Sequence, residues 1–188
     1  LRPLKTVGQQ DDSTGMSSYN ISPGDASVIF QGSLVGSPAT GTGYVDLQTA
    51  GLVLNLGAFW GTFYNDPTTL KPTFKNYYPG SITPPNAGAI EAFVYDSPAQ
   101  MYEIQSDNAG ASAQTDIFKC ADLAGTSGST LNGVSSMELG DSTLGTTGQF
   151  KIIGVSRDPE NNDIGSANVN WRVMLNESLL GSGTAGAA

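Results

Sequence analysis

Residues 89–107 read AIEAFVYDSPAQMYEIQSD. In the first half, Ile90, Ala92 and Val94 alternate with Glu91, Phe93 and Tyr95. In the second half, Met101, Glu103 and Gln105 alternate with Tyr102, Ile104 and Ser106. A period of two on β-prone residues marks a strand, because successive side chains leave opposite faces. Asp96-Ser97-Pro98 stands between the halves. The proline ring fixes its own φ and pushes Ser97 away from the helical region, so the chain turns there. The segment predicts two strands broken at one turn, arranged as a hairpin.

The flanking sequence repeats the pattern. Pro23-Gly24-Asp25 is a turn signal, and residues 27–35 that follow it are strand-like. Residues 44–47 alternate, and residues 58–64 (AFWGTFY) form an aromatic-rich run closed by Asn65-Asp66-Pro67. Residues 74–80 (FKNYYPG) are a further extended run ending in a turn. Phe150, Ile152 and Gly154 alternate with Lys151, Ile153 and Val155. The cleanest one-face pattern is Val169, Trp171, Val173 and Leu175 against Asn170, Arg172, Met174 and Asn176. One short helix is plausible between Gly110 and Gly133, around residues 116–123. With 24 glycines and no long run at helical spacing, the reading is all-β: a compact β-barrel or β-sandwich with at most one short helix. In residues 1–26 the apolar positions Leu1, Leu4, Val7, Met16, Tyr19 and Ile21 are too unevenly spaced for a strand. They predict an extended N-terminal arm that needs a neighbour to lie on. Residues 27–177 are then the β-rich domain, and the small residues of 178–188 are a flexible C-terminal tail.

The 188 residues carry 8 basic and 17 acidic side chains, a net charge of −9, with the acids scattered singly. Such a chain repels nucleic acid, whose binding needs Lys and Arg against phosphate. It suits a basic protein surface, and the charge also serves solubility. No apolar run approaches the roughly 18 residues of a membrane span, so no membrane partner is expected. There is no histidine, which removes the commonest general base and metal ligand. The single Cys120 excludes a disulfide within the chain and a cysteine-rich zinc site, and predicts a buried thiol. No catalytic residues and no cofactor are read. Asp96, Glu103 and Asp107 could meet as paired carboxylates, but acids beside a turn are more often solvated or capping groups. Asp158, Glu160, Asn162 and Asp163 are hard oxygen ligands on one loop and a candidate for calcium. Their spacing lacks the EF-hand glycine and terminal glutamate, and a tight polar turn wants the same residues. The aromatic set Phe59, Trp60, Phe63, Tyr64, Phe74, Tyr77 and Tyr78 reads as core plus interface. A ligand or sugar platform is the other reading. The interface candidates are Leu4, Val7, Tyr19, Trp60, Tyr64, Tyr77 and Tyr78.

The opening segment, with Val94-Tyr95-Asp96-Ser97-Pro98 ahead of Tyr102-Glu103-Ile104-Gln105-Ser106-Asp107, resembles a block found in virion structural proteins of tailed bacteriophages. Residues 57–64 (GAFWGTFY) and 76–80 (NYYPG) look like the family's glycine-aromatic block and its tyrosine-rich ending. Residues 153–161 (IGVSRDPEN) and 169–177 (VNWRVMLNE) are similar to two later strand blocks. The likeness covers residues 44–177 by blocks; residues 1–26 show none. It implies a head decoration, or cement, protein on the outer surface of the virion. Its partners would be the major capsid protein and further copies of itself, as dimers or trimers, with the arm extended over the capsid. The blocks carry no catalytic residues. A host- or carbohydrate-binding spike or fibre module, and a tail or neck structural protein, are the alternatives.

Overall fold

A computed structural model describes residues 1–6, 15–38, 40–107 and 109–181. Among them the clearest period-two runs form strands, while of the strand-like residues 27–35 only Leu34 and Val35 do, with single bridges at Ile29 and Gln31. In chain order the strands are β1 (Arg2–Thr6), β2 (Ser17–Ile21), β3 (Leu34–Gly36), β4 (Asp46–Leu47), β5 (Asn55–Asn65), β6 (Pro72–Lys75) and β7 (Ile90–Tyr95). There follow β8 (Gln100–Gln105), β9 (Cys120–Ala121), β10 (Leu123–Ala124), β11 (Glu138–Leu139), β12 (Phe150–Val155) and β13 (Asn170–Leu175). The helical content of the described residues is three short 3-10 turns, at Pro85–Ala87, Gln114–Asp116 and Asp141–Thr143. Where a short helix was plausible, the chain makes the second of these turns and then a strand at Cys120–Ala121.

The fold is all-β and sandwich-like, without a closed barrel. The first sheet runs β1-β8-β13-β12-β9, with every neighbour antiparallel. The second runs β2-β7-β5-β3-β4. Its 11-residue β5 is long enough to pair with β3 near its start and β6 near its end. A ribbon of β10 and β11 stands apart.

Both halves of residues 89–107 are strands, and β7 shows the expected in–out burial. They do not form a hairpin. The edges of β7 are taken by β2 and β5, those of β8 by β1 and β13. The Asp96-Ser97-Pro98 turn therefore carries the chain from one sheet to the other. The Gln100 N–H closes it on the Ser97 carbonyl at 2.9 Å. The Tyr102 hydroxyl ties the two strands by donating to the Tyr95 carbonyl at 2.7 Å.

Two cores result. In the first, Tyr102, Ile104, Phe150, Ile152, Trp171 and Val173 of the first sheet meet Leu34 and Ala58 of the second. In the other, Val35, Phe59, Ile90, Ala92 and Val94 meet Ile29, Val45 and Tyr78 from segments outside the strands. Leu34 and Val35 are neighbours on β3 and point to opposite faces, one into each core. Along β3 and the first half of β5 the second sheet is thus a middle layer with both faces buried, while its far end, at β6 and the end of β5, is open on one face.

The expected arm is instead part of the sheets. β1 lies on the edge of β8, and β2 on the edge of β7. The neighbour they lie on is their own domain. Only Ile21 of β2 is fully buried, which is why the run has no clear apolar period. At the other end, Ser178 is buried and the Leu179 N–H bonds the Asn55 carbonyl at 2.6 Å, so ordered chain continues beyond residue 177. Of the tail expected over 178–188, residues 182–188 lie outside the described residues. No helix among the described residues is long and apolar enough to cross a membrane.

Candidate binding surface

β5 carries a bulge. Phe59 stands opposite Val94 and Gly61 opposite Phe93, which leaves Trp60 as the extra residue. A bulge re-aims a side chain. Here the indole meets Phe74 with ring centres 5.2 Å apart and Phe93 at 6.4 Å, while Phe74 and Phe93 are 6.3 Å apart. Gly61 makes the room: a Cβ there would lie 2.6 Å from Cζ of Phe74. Phe63 is directly opposite Phe74 in the β5–β6 pairing and shares its face. Phe74 is 47% exposed and Phe63 39%, with Trp60 and Phe93 half-buried. Single exposed rings are ordinary, but three rings in mutual contact with a fourth beside them on one sheet face form the kind of patch that marks an interaction site. Aromatic anchors of this sort carry most interface energy.

The structure separates the other aromatic candidates. Tyr64 and Tyr78 are 1% and 0% exposed and belong to the second core, so neither can meet a partner. Alternation with exposed Phe63 and Asn65 points Tyr64 inward, and Tyr78 is held in by its backbone pairing with Ile29. Tyr77 is half-buried, stacked on Phe30 at 6.0 Å, with the Lys75 ammonium 5.7 Å over its ring. Tyr19 is half-buried on β2, and its hydroxyl donates to the Asp96 carboxylate at 2.6 Å. Burial first, then the Asp96 hydrogen bond and charge, push its pKa up to about 12. Leu4 is half-buried on β1. Val7 lies outside the described residues. Sequence reading missed Phe93 as a member of the patch. Its place on the outward side of an alternating strand was the available signal.

The three carboxylates of the opening segment do not meet. Asp96 is held by Tyr19. Asp107 accepts the backbone N–H groups of Ala109 and Asp141. Glu103 is not a solvated hairpin group: its side chain is only 10% exposed. One oxygen sits 2.6 Å from the Arg2 guanidinium, and the other accepts the Ser156 hydroxyl at 2.6 Å. Both partners are remote in sequence, so no local pattern announced them. On the 158–163 loop, Asp158 accepts the Glu160 N–H at 3.2 Å, as a tight polar turn requires. Among the described residues no group of three or more acidic or cysteine side chains is placed to hold a metal ion. Cys120 is a buried free thiol on β9. The four rings offer stacking and apolar contact. No protein-family model, curated protein or solved structure matches this chain.

Proposed function

We propose that this chain is a non-enzymatic virion structural protein that decorates a tailed-phage capsid. It stabilises the shell by binding the major capsid protein at capsomer junctions on the outer surface, in many copies and as dimers or trimers. The observation that carries this reading is the open aromatic face of Trp60, Phe63, Phe74 and Phe93 on an acidic domain. Two of these rings lie in the block of residues 57–64 that resembles the phage proteins. A partner that covers the rings removes apolar area from water, worth about 25 cal/mol per Å² before the costs of association. A protein that binds assembled and not free capsid subunits shifts the shell toward its assembled state by mass action. The open face lies on the folded domain, and contact with the capsid moves there from the arm.

Heating virions with and without this protein tests the role: a lower melting temperature for the bare shell is expected, and equal melting overturns it. The double variant Trp60→Ala, Phe74→Ala should fold yet leave the capsid unoccupied. The same rings suit the faces of sugars, which favours the spike or fibre reading as second. Binding on a glycan array that the double variant loses would replace the capsid role with that one. A dozen copies or fewer per virion, in place of hundreds, would point to a tail or neck part.

A further inference from the structure

All three arginines of the chain, Arg2, Arg157 and Arg172, line one cleft of about 440 Å³. They come from β1, from the loop after β12 and from β13, so only the first sheet brings them together. Arg2 is engaged with Glu103, which also holds Ser156. The other two face no carboxylate within ion-pair distance among the described residues. Arg172 is aimed by its own backbone contact, donating Nε to the Val155 carbonyl at 2.8 Å. Gly154 leaves space for its head: a Cβ there would lie 2.9 Å from Nη2. Arg157 is exposed and has no hydrogen-bond partner among the described residues. Asp158 and Glu103 also line the cleft, so it holds three guanidinium groups against two carboxylates, and Asp158 Oδ1 accepts the Glu160 N–H. Leu4, Met101 and Pro159 complete the walls with apolar surface.

Guanidinium forks match a carboxylate or phosphate through paired N–H donors. The apolar walls decide between them. Free phosphate leaves Leu4, Met101 and Pro159 wet. An acidic peptide with a flanking aliphatic residue satisfies both parts of the cleft. We propose that this cleft receives an acidic segment of a partner protein, its carboxylate on Arg157 and Arg172 and its aliphatic neighbour against Leu4, Met101 and Pro159. The assignment is independent of the capsid reading.

Isothermal titration of the full chain with acetyl-Leu-Glu-Glu-Leu-amide tests it, beside the glutamine analogue and inorganic phosphate. Saturable binding of the glutamate peptide is expected, weakened by added salt. Arg157→Gln should weaken it at least about tenfold, since it removes one fork of a charge-assisted pair. Arg157 supports nothing in the fold, so that variant stays folded; Arg172→Lys, which keeps the charge but not the fork, is the second. No binding, equal binding of the glutamine peptide, phosphate binding as tight as the peptide, or unchanged affinity in Arg157→Gln would each overturn the proposal.

Discussion

Apart from its open aromatic end, the middle sheet is covered on one face by the strands of the first sheet and on the other by segments without regular structure. On the strand-covered face, Trp171, Phe150 and Tyr102 fill the space between sheets with apolar volume. On the other, Ile29, Val45 and Tyr78 reach the core from loops, and those loops are sewn together by polar ties. Ile29 and Tyr78 exchange backbone bonds of 3.0 and 2.7 Å, and the Gly24 N–H reaches the Ile82 carbonyl at 2.7 Å. The Tyr78 hydroxyl donates to the Asp25 carbonyl at 3.0 Å and accepts the Ile82 N–H at 3.3 Å. A sheet brings its own backbone pairing, so its core depends on side-chain volume. A loop has no ladder, so its backbone groups need specific partners before its apolar residues can stay buried.

This difference sets what each core should lose when altered. The largest effect is expected for Trp171→Ala, which empties the centre of the strand-covered core. A loss of about 3–5 kcal/mol, read by denaturant unfolding, should come with loss of amide protection in both sheets. A local effect confined to β13 would show that the two cores do not cooperate. Tyr78→Phe keeps the ring and removes the tie. It should cost about 1–2 kcal/mol and raise hydrogen exchange at residues 24–29 and 78–82, with β12 and β13 unchanged. Global loosening would mean the loop-covered core is not a separate unit.

The smallest effect concerns Asp141, at the rim of the first core beside Leu139. Burial, then the charges of Asp107 and Asp116, push its pKa up to about 6, and neither carboxylate oxygen has a hydrogen-bond partner among the described residues. A raised acid pKa means the ionised form opposes folding above about pH 6. The opposition fades as pH falls from there toward the ordinary carboxylate value. Asp141→Asn should therefore stabilise the fold at pH 7–8 by no more than about 1 kcal/mol after solvent screening, read as a raised melting temperature, and give no gain near pH 4. A gain independent of pH would show that charge is not the cause.

Much of the secondary structure was legible because alternation survives in the residues themselves. Ile90, Ala92 and Val94, and again Trp171, Val173 and Leu175, point where period two says they should. β1 and β2 were hidden because edge strands bury one face only partly and need no apolar rhythm. The hairpin failed for another reason: the Asp96-Ser97-Pro98 turn looks the same whether the chain doubles back or crosses between sheets. Which occurs depends on the strands that claim each edge. The binding surface was half legible. Trp60 was marked by its composition, but a one-residue bulge at Trp60 decides that it joins Phe74 and Phe93, while Tyr64, four residues on, is core.

From the sequence alone came the all-β class, the turn positions, the acidic surface and the lack of histidine, since these follow from composition and local periodicity. Only the tertiary structure decided that one sheet lies between two cores, that Glu103 is buried between Arg2 and Ser156, and that Arg2, Arg157 and Arg172 share one cleft. Those facts rest on pairings between residues far apart in the chain. Such pairings are set by which faces bury best against each other, and no local spacing encodes that.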